Sequence, residues 1–172
     1  MANLRTLLES PWLLRTRRNH GLEHATIHVL SQKNSQRSFA GRSDAGGFWL
    51  LGELNTEEVQ AAVAEALRRL RAGQRWLAIH PNCGTNLMTA GAVTGLVSAL
   101  AMRGASQRRA WLDRLPLAVL FSTLALMAAR PLGTRIQQRV TTSSEPGDLE
   151  VLDIQRSKRG NLTIHRVVTH ST

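Results

Sequence analysis

Three histidines and a glutamate recur along one short stretch, His20-Gly-Leu-Glu23-His24-Ala-Thr-Ile-His28. On an α-helix, residues four apart lie about 40° apart around the axis, so His20 and His24 project from one face and can converge on one ion. Two neutral imidazoles so placed hold Zn²⁺, a third ligand completes the protein shell, and a water takes the open fourth position. Zinc lowers the pKa of that water to around 7, which makes a nucleophile available at neutral pH. Glu23 lies on the same face, displaced to the other side of His20, where its carboxylate can take the proton and pass it to a leaving group. His28 extends the face by one turn, as a ligand, a partner of a ligand, or neither. The same residues also suit a solvated polar stripe opposite Leu22, Ala25, Thr26 and Val29, in which case they do no chemistry.

A second polar cluster, His80-Pro-Asn-Cys-Gly-Thr-Asn86, lies between a short apolar segment and a long apolar run. Pro81 and Gly84 shape a loop there, and Asn82, Thr85 and Asn86 are suited to bonding free backbone groups at a helix start. His80 is the first candidate for the missing third zinc ligand and Cys83 the second. Cys83 at a helix N-terminus would also have a lowered thiol pKa, which opens a different class of chemistry with Cys83 as nucleophile beside His24. Against both stands the ordinary role of such loops, in which a lone cysteine is a small buried hydrophobe. Asp44 and Glu53 are the acidic alternatives for the third ligand, whereas His165 and His170 are isolated and read as surface residues.

The stretch His20 to His24 resembles the H-x-x-E-H motif of the inverzincin metallopeptidases. That resemblance covers about five residues and implies His20 and His24 as zinc ligands and Glu23 as general base. It supplies no third ligand, because the downstream interval where those enzymes place an acid is here the apolar run around Leu96 to Met102. The whole chain also resembles a family of small bacterial membrane proteins of unassigned function, with NHGLEHATIHVL and AIHPNCGTNL as hallmarks. This second resemblance implies residence in the bacterial inner membrane and no particular activity.

The chain has 172 residues, a net charge of +10 and a pI of 11.6. Its basic residues are nearly all arginine, with Lys33 and Lys158 as the lysines, and it has no tyrosine and three phenylalanines. Without aromatics interleaved in a basic stripe there is no base-stacking surface, so the charge suits anionic lipid headgroups better than nucleic acid. One cysteine excludes an intrachain disulfide. The N-terminal residues lack the apolar core and cleavage site of a secretory signal. Leu4, Leu7, Leu8, Trp12 and Leu14, flanked by Arg5, Arg15, Arg17 and Arg18, suit a short amphipathic segment broken at Pro11, either at a membrane surface or docked on the protein's own core.

These features predict an α+β fold, a small mixed helix/sheet domain with an inserted two-helix apolar hairpin. The amphipathic segment covers residues 1–18, the α+β domain residues 19–86 and 133–172, and the membrane hairpin residues 87–132. A motif helix is expected over Asn19 to Gln32, and strands over Ser38 to Ala40 and Phe48 to Leu51. Next come a helix with Thr56 as N-cap that stops at Gly73, and a strand over Trp76 to Ile79. A closing hairpin is expected over 151–155 and 162–168, with Gly160 and Asn161 near the end of its turn. The apolar runs Leu87 to Met102 and Leu115 to Ala129 are each somewhat short for a span of about twenty residues, and Trp76 and Trp111 sit as interfacial anchors would. Gly91 and Gly95 form a G-x-x-x-G step that would let a second copy approach.

The expected function is a membrane-anchored, zinc-dependent hydrolase, peptidase-like, with Glu23 as base and His20, His24 and His80 as ligands. The alternatives are a non-enzymatic membrane accessory or scaffold protein with structural His/Cys clusters, and an enzyme built on Cys83. The Arg-rich N-terminal part places the soluble domain on the cytoplasmic face, while Arg103, Arg108, Arg109 and Arg114 favour a cytoplasmic loop between the two runs.

Overall fold

A computed structural model describes residues 4–105, 107–160 and 162–172. The turn residue Asn161 expected above lies outside them, as do the side chains of Leu4 and Arg5. The chain divides into two compact units, Met1–His80 with Gln138–Thr172, and Pro81–Gln137.

The first unit is α+β. It contains α1 (Leu4–Leu8), α2 (Pro11–Lys33), β1 (Ala40–Asp44), β2 (Gly47–Leu51), α3 (Thr56–Arg71), a 3₁₀ turn (Arg75–Ala78), β3 (Glu150–Arg159) and β4 (Leu162–His170). The four strands form an antiparallel sheet in the order β1-β2-β4-β3. Along β4, Thr163, His165, Val167 and Thr169 alternate inward, the period of two that a half-buried strand requires. Val167 pairs with Phe48 and His165 with Leu50, so these four side chains share the sheet face that packs into the core with Leu22, Val29, Val59, Val63 and Leu77.

The motif helix is longer than expected. Pro11 does not break it but opens it at the first helical position, where the missing N–H would have no partner anyway and φ is already fixed. From Gly21 to Ile27 every residue of α2 is buried, so the helix is covered on several sides and the polar-stripe reading of Glu23 and His24 does not hold. The first hairpin closes through a two-residue turn, Ala45-Gly46, in which the Asp44 carboxylate accepts from the Gly46 N–H at 2.8 Å. Helix α3 is capped one residue earlier than expected. Asn55 accepts from the Glu58 N–H at 2.7 Å and the Glu58 side chain accepts from the Asn55 N–H at 3.1 Å, a reciprocal capping box.

Two further expectations are corrected. Residues 75–78 form a 3₁₀ turn and not a strand. The four-residue apolar run is bounded by Gly73, at φ +84°, and by Pro81, too little room for a ladder. His165 is fully buried and not a surface residue. It lies on the inward face of β4, where burial, with the Arg156 charge adding, pushes its pKa down.

The second unit consists of α4 (Gly84–Ala101) and α5 (Arg108–Ile136). The helices run antiparallel. The Ser98 and Ser122 hydroxyls share a hydrogen bond at 2.6 Å, and Gly133 lets α5 approach Asn86, whose Cα would lie 3.1 Å from a Cβ at that position. Gly91 and Gly95 face open space, so α5 does not use the G-x-x-x-G step. The expected pair of spans is corrected to one. Among the described residues a single helix, Arg108–Thr141 with its terminal π turn, is long and apolar enough to cross a membrane. Helix α4 has 18 residues and includes Thr85, Asn86, Thr89 and Thr94, which lower its apolarity.

Candidate metal centre

The histidines of α2 meet two segments that arrive from far along the chain. On one side the backbone of residues 141–143 crosses α2. The Arg17 guanidinium donates to the carbonyls of Arg139 and Thr142 at 3.3 and 3.2 Å, and the Ser143 N–H donates to the Arg17 carbonyl at 2.9 Å. Gly21 makes the crossing possible, because a Cβ there would collide with the Ser143 carbonyl. On the other side the 3₁₀ turn delivers the carbonyls of Ala78 and Ile79, followed by His80.

Each imidazole of α2 is fixed by a main-chain carbonyl. His20 Nδ1 lies 2.9 Å from the Thr141 oxygen, His24 Nδ1 2.8 Å from the Ala78 oxygen, and His28 Nε2 2.8 Å from the Ile79 oxygen. A carbonyl only accepts, so each of these ring nitrogens carries the proton. His20 and His24 are therefore Nδ1–H tautomers with the lone pair on Nε2, and His28 is the opposite tautomer. A backbone carbonyl on the far nitrogen is the usual means by which a metal-ligating histidine is oriented and made more basic.

His80 joins these rings. Centroids are 4.4 Å apart for His20 and His24, 5.8 Å for His24 and His80, and 5.0 Å for His28 and His80. Two imidazoles on one tetrahedral zinc, with Zn–N of about 2.0–2.1 Å, place their centroids roughly 5 Å apart, and the His20–His24 and His24–His80 spacings fall on either side of that value. The candidate ligand atoms of His20 and His24 lie within 4.8 Å of each other. Trp76 meets His28 edge-on at 5.4 Å between centroids and is itself half exposed.

Glu23 is 3 % exposed, and its carboxylate is held from the sheet side. Oε2 accepts from the Ser43 hydroxyl at 2.5 Å, and Oε1 packs so closely on Gly41 that a Cβ there would overlap it. The glycine in β1 is thus a requirement of the carboxylate's position. Neither acidic alternative joins the imidazoles. Asp44 pairs with Arg166 at 2.8 Å, and Glu53 is exposed in the loop after β2. His170 is exposed at the end of β4. Cys83 belongs to the second unit, where it is buried at the N-cap of α4 and forms no disulfide.

Ser43, Gly41, Gly21 and the carbonyls of Ala78, Ile79 and Thr141 were not anticipated from the sequence. Gly21 and Gly41 carried the only signal available, a glycine inside a helix and one inside a strand, each marking a close approach.

The fold and the site define an α+β protein with a four-imidazole cluster gathered around one helix. The chain belongs to the family described as Domain of unknown function (DUF6391), whose model matches residues 15–154. It is also similar to an uncharacterised protein of Picosynechococcus sp., with 36 % identity over 160 residues covering 84 % of this chain and 74 % of the relative. No solved structure matches the chain.

Proposed function

We propose that this protein is a membrane-anchored, zinc-dependent hydrolase, peptidase-like, with His20, His24 and His80 as ligands and Glu23 as general base. One observation carries the reading: the Nδ1–H groups of His20 and His24 both donate to main-chain carbonyls. The two Nε2 lone pairs come from side chains one helical turn apart, an arrangement that suits a single divalent ion. His28, protonated at the other nitrogen, is a positioning residue that orients the 3₁₀ turn from which His80 projects. Cys83, three residues beyond His80, is the alternative third ligand. Bound there, zinc would supply a nucleophile at neutral pH. Glu23 would hold and move its proton, with the Ser43 hydroxyl fixing one carboxylate oxygen.

Membrane residence is supported by the second unit. Its α4 buries no residue, and Leu87, Met88, Leu96, Leu120 and Met127 are all more than half exposed. A surface of this kind in contact with water would be an extended apolar patch, which marks an interaction with lipid or protein. The α+β unit is assigned to the cytoplasmic side of a bacterial inner membrane from its Arg-rich start.

A second reading, a scaffold with a structural metal, is favoured by the burial of Glu23 against β1, which is also how a strut residue sits. The two are separated by Glu23→Gln, which keeps size and hydrogen bonding but removes the basic oxygen. On the hydrolase reading zinc stays bound while cleavage of fluorescence-quenched casein falls by about a hundredfold or more. Zinc release by Glu23→Gln, or no cleavage by the zinc-loaded wild type, favours the scaffold.

A further inference from the structure

Strand β3 (Glu150–Arg159) ends the sheet, bonded to β4 on one side only, so its other edge offers N–H and C=O groups to a further strand. Every residue of β3 except Val151 and Ile154 is exposed. Helix α3 does not seal this edge. A cleft of about 540 Å³ lies between the two elements, lined by Ala64 and Leu67 from α3 and by Val151, Asp153 and Ile154 from β3. We propose that β3 pairs antiparallel with β3 of a second copy of this chain, about a two-fold axis opposite Gln155, joining the two four-stranded sheets into one.

Charge selects this occupant. The strand is acidic in its first half, with Glu150 and Asp153, and basic in its second, with Arg156, Lys158 and Arg159. Among the described residues Glu150, Arg156, Lys158 and Arg159 form no ion pair. Asp153 accepts from the Ile154 N–H at 2.8 Å and from the Gln155 amide at 2.9 Å, and neither donor carries a charge. Charged side chains on an open edge turn most strands away. The strand this edge accepts is one whose charges run in the opposite order, and β3 itself, reversed, has that order. A parallel pairing in register would instead set like charges side by side.

The register follows from the same charges. Directly opposed side chains in an antiparallel pair share one face of the sheet, so a two-fold axis normal to the sheet passes opposite a single residue. Centred on Gln155, it sets Ile154 opposite Arg156 of the second copy and Asp153 opposite Ser157 of the second copy. The bulge between Val151 and Asp153 takes Leu152 out of the count. Val151 therefore comes opposite Lys158 of the second copy, and Glu150 opposite Arg159 of the second copy. That Arg159 faces Glu150 directly and Asp153 diagonally, and symmetry repeats the cluster beyond the axis. Centring on Arg156 would press that guanidinium against its own copy, and centring on Ile154 would leave Glu150 opposite Ser157.

This interface lies in the first unit and is independent of the zinc reading. The test is sedimentation velocity of the full chain in neutral detergent over a concentration series. The wild type should dimerise reversibly. Arg159→Glu and Glu150→Arg, both at exposed positions, each set like charges opposite one another on both sides of the axis, and each should raise the dimer dissociation constant by about tenfold or more. An equimolar mixture of the two variants restores opposite charges at both places and should dimerise about as tightly as the wild type. Gln155→Cys, oxidised with diamide, should link to its own copy, because opposed Cβ atoms lie about 4.5–5.5 Å apart, close to disulfide reach. Ser157→Cys, separated from its own copy by about 14 Å along the strands, should not. A wild type that stays monomeric, or reversals that fail to rescue each other on mixing, would overturn the proposal. So would equal linkage at the two cysteine positions, or a dimer that neither reversal weakens, as one formed through the Gly91 and Gly95 step would be.

Discussion

Zinc should raise the melting temperature of the α+β unit by an amount that the hydrogen bonds around the histidines allow to be dissected residue by residue. At a free zinc concentration one hundred times the dissociation constant, binding to the native state alone adds about 2.7 kcal/mol. For a unit of this size each kcal/mol shifts the melting temperature by about 4 °C, so chelator-dialysed protein should melt about 11 °C higher on zinc addition. His24→Ala removes a ligand and also leaves the buried Ala78 carbonyl without its 2.8 Å donor. A lost partner for a buried polar group costs about 1–3 kcal/mol. Its apo form should therefore melt about 4–12 °C lower than wild type, and the zinc increment should vanish. His28→Ala breaks the equivalent 2.8 Å bond to Ile79 but removes no ligand. Its apo form should fall by a similar amount while the increment of about 11 °C survives. Differential scanning calorimetry in detergent, with and without zinc, reads all six melting temperatures. A full increment in His24→Ala, or its loss in His28→Ala alone, refutes the ligand assignment.

Gly41→Ala should lower the apo melting temperature by forcing a methyl group against the Glu23 carboxylate, at a cost of about 1–3 kcal/mol, and calorimetry checks it against Gly91→Ala, where an added Cβ meets open space. Stability should also fall on acidification. Native His165 has a lowered pKa, so the unfolded chain takes up a proton near pH 6.5 that the folded chain resists. The contribution is fully present above the unfolded value and is lost as the pH falls below it. Urea unfolding of zinc-free protein between pH 8 and 5 should show this loss, and His165→Leu should flatten it. The second unit should keep the protein in the pellet of bacterial membranes washed with alkaline carbonate, and recovery in the supernatant would remove the anchor from the account.

Local chemistry made part of this structure legible. The inward alternation of β4 and the apolar spacing of α3 follow directly from side-chain type, and both elements formed where their periodicity pointed. Elements whose fate depends on a neighbour were not legible. Pro11 reads as a break in the N-terminal segment, but Ser10 ahead of it is extended at the N-cap, which makes Pro11 the start of α2. Trp76-Leu-Ala-Ile79 has strand composition, but Leu77 and Ala78 are buried beneath α2 while Trp76 stays exposed, a pattern the 3₁₀ turn satisfies. At the candidate site, His20, Glu23 and His24 were visible because their spacing is local. The groups that fix them are main-chain carbonyls of Ala78 and Thr141, and a carbonyl carries no signature in sequence. His165 misled for the same reason, since its burial is set by α3 and β2, more than a hundred residues away.

Elemental analysis of the chain, purified in detergent without added metal, tests the zinc site most directly. About one zinc per chain is expected in the wild type and close to none in a folded His20→Ala/His24→Ala double variant. An equal zinc content in the two proteins, or a wild type that takes up no zinc when it is supplied, would contradict it.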